Sequence, residues 1–170
     1  MICEVESMKK NVLFVSSEAV PFIKTGGLAD VAGSLPKYFD KERYDVRVML
    51  PKYLCIPEKW RNQMKYVTHF YMDLAWRSQY VGVLEMEYAG VHYYFIDNEF
   101  YFAGPKPYGY IHEDIEKFAF FSKAALSAMP LLNFKPDIVH CHDWQTGLVP
   151  VYMKERFHDG EFFRDMKSVM

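Results

Sequence analysis

The sequence predicts an α/β domain: an open, mostly parallel sheet with helices on both faces and an antiparallel hairpin insertion. Three observations carry that prediction. Near-continuous apolar runs (NVLFVS, YDVRVML, DIVH) suit strands covered on both faces. Helix-period segments alternate with them, as right-handed crossovers between parallel strands require. The middle of the chain switches to strand-like runs joined by short turns.

Taken in order, Asn11 to Ser16 reads as a central strand. A loop with Pro21 and Gly26-Gly27 comes next, and then a helix over LADVAGSLPKYF with Leu28, Val31, Ala32, Leu35 and Phe39 at helical spacing. Pro36 ends or kinks that helix, and Tyr44 to Leu50 is a second strand stopped by Pro51. From Met64 to Asp97 come three strand runs, with Arg77-Ser78 and Ala89-Gly90 at the turns. The aromatic stretch 99–111, rich in Gly and Pro, reads as an ordered loop outside any regular element. A helix occupies 113–129, with an acidic first turn, Ile115, Phe118, Ala125 and Met129 inward, and Pro130 as its stop. Asp137 to His140 is a short buried strand, and 143–157 a helix-like stretch that Pro150 bends. The last residues, FFRDMKSVM, pass from charge into the start of an apolar run, which reads as a strand interrupted midway.

Length fits one domain, with residues 1–7 as an extension and 8–170 as the folded unit. At 51% hydrophobic and 25% charged residues the chain is globular, and a net charge of -2 offers no footprint for nucleic acid or an anionic membrane. Three cysteines form no C-x-x-C pair or even disulfide set, so a reduced, cytoplasmic setting is expected. The N-terminal apolar stretch is too short for a signal core or a membrane span.

Ligands of open α/β sheets bind outside the carboxyl ends of the strands, here the loops after 11–16 and 137–140. Glu18 to Asp30 places Lys24 before Gly26 and Gly27 at a helix start. The glycines permit close approach and positive φ, the helix N–H groups point outward, and the lysine adds charge, which are the parts of a diphosphate cradle. The order is neither a Walker A loop nor G-x-G-x-x-G. A plain strand-to-helix turn, with Asp30 as a first-turn acid, accounts for the same residues.

At the second loop, alternation puts His140 and His142 on one side of the strand end, with Asp143 placed to cap the next helix. Zinc would need four ligands, and nothing elsewhere supplies a second pair, so no metal is assigned. Asp143 as a cap with His140 as a buried histidine is the structural alternative. Glu113 and Asp114 open a helix, where carboxylates commonly serve the helix dipole.

Together, SEAVPFIKTGGLADV (17–31) and HCHDWQTGL (140–148) resemble the bacterial glycogen synthases and plant starch synthases, and Tyr108-Gly109 with Asp114 to Phe118 extends the resemblance over nearly the whole chain. The resemblance implies a GT-B enzyme of two Rossmann-like lobes. It would move glucose from ADP-glucose to the non-reducing end of an α-1,4-glucan with retention, and without a bound metal or other cofactor. This chain would be part of the N-terminal, acceptor-side lobe, inactive without the C-terminal one. By the same resemblance, Lys24 with the Gly26-Gly27 backbone meets the donor diphosphate and sugar, and His142 meets the transferred glucose. Asp143 and Trp144 shape that wall, Gln145 and Thr146 begin the supporting helix, and Asp30, Glu113 and Asp114 belong to the donor side. The pattern departs at Glu113 and Lys117, where family members often carry Asp and Arg. The alternative from another class is a non-catalytic α-glucan-binding module that uses the aromatic stretch 93–110.

Overall fold

The computed structural model describes residues 9–170, so the expected extension at 1–7 lies outside the described residues. Among these described residues seven strands form one sheet in the order β3-β4-β5-β2-β1-β6-β7. They are β1 (Lys10–Val15), β2 (Tyr44–Pro51), β3 (Lys65–Leu74), β4 (Arg77–Tyr88), β5 (Val91–Asp97), β6 (Ile138–Cys141) and β7 (Lys167–Val169). Pairing is parallel from β5 through β2, β1 and β6 to β7, and antiparallel only where β3 and β4 extend the edge. Leu13, Phe14 and Val15 on β1, and Val48, Met49 and Leu50 on β2, are consecutive and fully buried, so both faces of the central strands are covered.

The chain leaves β1 for β2 on one side and returns to β6 on the other. The sheet therefore changes direction between β1 and β6, and their carboxyl ends open on a common crevice. Val15 faces Cys141 in register, and the His142 N–H continues the ladder by donating to the Val15 carbonyl at 3.1 Å. The loops carrying Glu18 and His142 thus start side by side.

Helix α1 (Gly27–Ser34) comes after the first loop and passes into a 3-10 turn over Leu35–Tyr38, with Pro36 at its start, as the proline requires. Its inward face differs from the expected one: Val31 and Leu35 are exposed, and Ala29, Ala32 and Gly33 are buried. Close packing is the reason. A Cβ on Gly33 would lie 2.3 Å from the Val20 carbonyl oxygen, so the loop rests directly on the helix backbone. Phe22 pins the same loop from the other side, its ring meeting Tyr93 at 4.8 Å and Phe95 at 5.2 Å.

The first hairpin turns at Ala75-Trp76 instead of Arg77-Ser78, since Leu74 pairs with Arg77 and Ala75 takes the positive φ of 53°. The second turns at Ala89-Gly90 as expected, both with positive φ (51° and 71°), the twist a two-residue hairpin needs. A short helix α2 spans Glu58–Arg61. Residues 99–111 are also not wholly irregular: Glu99–Phe102 forms helix α3, because the Asn98 side chain caps the Tyr101 N–H at 3.0 Å.

Helix α4 (Ile111–Ala128) buries Asp114, Phe118, Phe121 and Ala125 and leaves Ile115 exposed, against expectation. The stripe runs through the acid because Asp114 has polar partners inside. The stretch after β6 is broken into a 3-10 turn (Trp144–Thr146), helix α5 (Leu148–Tyr152) and a π turn (Met153–Phe157). Pro150 stands in the first turn of α5, where its missing N–H costs nothing. Among the described residues no helix is long and apolar enough to cross a membrane.

Candidate functional site

The first loop is organised by Glu18. Its side chain is almost wholly buried (3% exposed), yet it forms no ion pair among the described residues. Instead the carboxylate accepts from the Thr25 N–H, from the Thr25 hydroxyl at 2.9 Å and from the Tyr108 hydroxyl at 3.0 Å. With its own proton committed to Glu18, Tyr108 accepts from the Ser17 hydroxyl at 2.8 Å. Burial pushes the Tyr108 hydroxyl well above the ordinary tyrosine range, so it remains a neutral donor. A buried carboxylate satisfied by three donors is a rigid anchor. It fixes the residue just before Gly26 to the aromatic stretch more than eighty positions away in sequence.

Beyond Thr25, Gly26 has extended φ and ψ (-153°, -165°), and among the described residues no side chain caps the α1 N-terminus. Neither Gly26 nor Gly27 takes the positive φ expected of the pair. What they supply is access: a Cβ on either would meet nothing within 4 Å, so first-turn N–H groups border open space. Lys24 stands beside this opening and pairs with Asp30 at 2.7 Å, both side chains half exposed. Such a pair is weak and readily exchanged for a stronger anion.

On the β6 side His142 is 8% exposed, packed against Phe14 at 4.8 Å and His140 at 4.4 Å. The expected buried histidine is thus His142, with His140 half-buried. Burial, with a smaller contribution from His140, lowers the His142 pKa to about 4, so the ring is neutral near pH 7. Among the described residues its Nε2 has no hydrogen-bond partner. Asp143 caps the adjoining turn, accepting from the Trp144 N–H at 2.7 Å, but from a backbone of φ 63° and ψ 178°, a region nearly confined to glycine. Trp144 is exposed on one side and packs edge-on against Phe118 at 5.4 Å. Gln145 and Thr146 are buried beneath it, the Thr146 hydroxyl bonded to the Asp143 carbonyl at 3.1 Å.

At the head of α4, Asp114 is buried and Glu113 exposed. Asp114 accepts from the Gly109 N–H at 2.9 Å and from Lys117 at 2.6 Å, and Lys117 also donates to the Pro107 carbonyl at 2.8 Å. Lysine at this position therefore serves as a strut for the 107–109 segment. Motif and spacing assign no part in the site to Ser17, Thr25 or Phe118. Ser-Ser-Glu directly after a buried strand is the signal that could have found Ser17, since polar residues at a strand's carboxyl end are the ones a crevice needs. Of the aromatic set 93–110, Tyr93, Tyr94 and Phe95 are core residues, whereas Phe100 and Tyr110 are exposed. Among the described residues no group of three or more His, Cys, Asp or Glu side chains is gathered to hold a metal.

The arrangement is an open N–H cradle with a half-exposed lysine, facing a neutral histidine and a half-exposed tryptophan across one sheet crevice. Residues 11–170 match the family profile described as "Starch synthase catalytic domain". The glycogen synthase of Lachnospira eligens is 74% identical over 161 residues, covering 95% of this chain and 34% of that protein. That of Lachnoclostridium phytofermentans is 65% identical over the same length and share. Among solved structures, the catalytic domain of starch synthase IV from Arabidopsis thaliana, bound to ADP and acarbose, superposes with a TM-score of 0.78 at 25% identity, covering 94% of this chain and 33% of that one. The chain spans about a third of the length of the curated relatives it matches.

Proposed function

The chain belongs to the starch synthase catalytic domain family, and from that premise we propose that it forms the N-terminal, acceptor-side lobe of a cytoplasmic GT-B glycogen synthase. The whole enzyme would transfer glucose from ADP-glucose to the non-reducing end of an α-1,4-glucan with retention. A second lobe would complete the donor site, so residues 8–170 alone would not catalyse transfer.

The observation that carries this reading is the uncapped, unobstructed α1 N-terminus at Gly26-Gly27 with Lys24 beside it, held in place by buried Glu18. As the bond to the anomeric carbon breaks, charge gathers on the departing diphosphate. Preformed N–H dipoles and a lysine stabilise that charge more in the transition state than before it, which is what accelerates a step. Asp30 keeps Lys24 near the cradle until the diphosphate replaces it. The ADP and acarbose bound to the Arabidopsis relative are consistent with a donor-and-glucan crevice.

His142, neutral and with Nε2 unpaired among the described residues, is suited to one hydrogen bond with a glucose hydroxyl. Asp143 and Trp144 form the wall, Gln145 and Thr146 support it, and Asp114, next to Glu113, shapes the 107–109 segment. Incorporation of labelled glucose from ADP-glucose into glycogen, by the full-length enzyme containing this segment, tests the reading. Transfer with retained configuration supports it, and glucan binding without transfer would instead favour a non-catalytic module.

A further inference from the structure

Among the described residues strand β3 is one edge of the sheet, with β7 at the other. Edge strands commonly carry a proline, a lysine or an inward-pointing charge that discourages pairing with another chain. After the register shift between Tyr66 and Thr68, the run THFYMDL (68–74) has none of these. Its side chains alternate without a break. His69, Tyr71 and Asp73 are exposed, whereas Phe70, Met72 and Leu74 turn toward the core.

The backbone of this run has a definite free side. Leu74 pairs with Arg77 across the two-residue turn, so these two exchange hydrogen bonds, and alternation turns the polar groups of Met72 and Phe70 toward β4 as well. The N–H and C=O groups of His69, Tyr71 and Asp73 therefore point away from the sheet. In keeping with this, the Asp73 carbonyl accepts from the Lys123 ammonium of α4. On the exposed face, Tyr66, His69, Tyr71 and Tyr80 form one aromatic surface. The Tyr66 hydroxyl bonds to His69 Nδ1 at 2.5 Å, the His69 ring stacks on Tyr80 at 5.7 Å, and Tyr71 meets Tyr80 edge-on at 5.9 Å. Tyr66 and Tyr71 are 60% and 69% exposed. A contiguous aromatic patch beside an open edge marks a contact surface.

We propose that β3 pairs antiparallel with β3 of a second copy of this chain, making one continuous sheet across a two-fold axis at Tyr71. Self-complementarity selects both the partner and the register. With Tyr71 opposite its own copy, His69 stands opposite Asp73 of the second copy and Asp73 opposite its His69, so each carboxylate meets an imidazole. Thr68 and Phe70 oppose Leu74 and Met72, which keeps the inward face apolar. Centring the pairing on Phe70 or Met72 instead sets Asp73 opposite Val67 or Tyr71 and leaves its charge unmatched. At the Tyr71 axis all three outward-facing residues exchange N–H···O bonds with their opposites, about six bonds in total. The His69 N–H of the second copy takes the place of Lys123 on the Asp73 carbonyl, and the two aromatic patches meet beside the axis. The pairing does not depend on the synthase reading. Strands β4, β5 and β2 separate β3 from the crevice at β1 and β6, so both crevices of the dimer remain open.

Sedimentation velocity of the full-length protein carrying this segment, over rising micromolar concentrations, tests the pairing. The expected result is a reversible monomer–dimer equilibrium. His69→Asp sets carboxylates face to face at both ends of the paired run and should raise the dimer Kd about 10-fold. Combining His69→Asp with Asp73→His exchanges the two partners and should restore the dimer, a recovery that a merely damaged fold would not show. Both side chains are exposed, so the melting temperature of the dilute protein should stay unchanged. Tyr71→Cys should join two chains by a disulfide on mild oxidation, since opposite Cα atoms in such a pair lie about 5.5 Å apart. His69→Cys, which does not face its own copy, should cross-link no more than the parent. A protein that stays monomeric, a dimer that His69→Asp leaves intact, or an exchange that recovers nothing would overturn the pairing. So would a monomer whose Tyr71 amide resists hydrogen exchange, because another part of the same chain would then occupy the edge.

Discussion

The buried Glu18 carboxylate and the Tyr108 hydroxyl, 3.0 Å apart, connect the loop after the first strand to a segment ninety residues further along the chain. Through Thr25 the same carboxylate sets the start of the glycine pair. The loop that carries Gly26-Gly27 and the segment that carries Tyr108 are therefore held by one group.

Replacing Glu18 with Ala leaves the Thr25 N–H and the Tyr108 hydroxyl without their acceptor. The expected cost is about 1–3 kcal/mol per unsatisfied buried group. Denaturant unfolding of the enzyme, beside Tyr108→Phe and the double variant, measures it. The two single effects should sum to more than the double, since they share one interaction.

Gly33→Ala tests the packing of α1 on the loop. A methyl 2.3 Å from the Val20 carbonyl oxygen must push the two apart. Overpacking of this kind costs about 1–3 kcal/mol. Thermal unfolding should show it, and Gly26→Ala, whose Cβ meets open space, should not.

Asp143 combines an unfavourable backbone with a capping side chain. Glycine relieves the strain, worth about 1–3 kcal/mol, and loses a cap, worth a few tenths against glycine. Asp143→Gly should therefore be as stable as the parent or more so, while glucose transfer falls. A variant both less stable and fully active would show that Asp143 is there for the fold alone.

The His142 pKa, lowered to about 4 by burial, makes the folded state prefer the neutral ring. Its unfolded counterpart titrates near 6.5, so the folded state's advantage is complete above that pH and is lost as the pH falls from about 6.5 toward 4. The effect is of the order of 3 kcal/mol. Urea midpoints measured between pH 7 and pH 4 should fall, and His142→Gln should flatten the slope.

The sheet was legible in the sequence because its central strands are continuous apolar runs and the loops at the two strand ends that form the crevice carry Lys24, Gly26-Gly27 and His142. Faces of helices were less so. Val31 and Leu35 carry the expected apolar spacing, but Gly33 packs on a loop carbonyl, a contact that hydrophobic periodicity does not encode. Likewise Asp114 lies on the inward stripe of α4 where Ile115 was expected, because Gly109 and Lys117 satisfy it. Residues 99–102 read as loop, since their helix depends on a single side-chain cap from Asn98. In the site, the residue types were visible and their partners were not. Glu18 reads as a loop acid until Tyr108 is brought against it by the fold.

The central claim is that Lys24, beside the open N-terminus of α1, carries charge developing on a departing diphosphate. Steady-state transfer from ADP-glucose to glycogen by the full-length enzyme, with and without Lys24→Ala, tests it most directly. A fall in kcat of about 100- to 1,000-fold, the effect of removing one preorganised donor to a developing anion, is the predicted result. A variant that transfers glucose at the parent rate would contradict it.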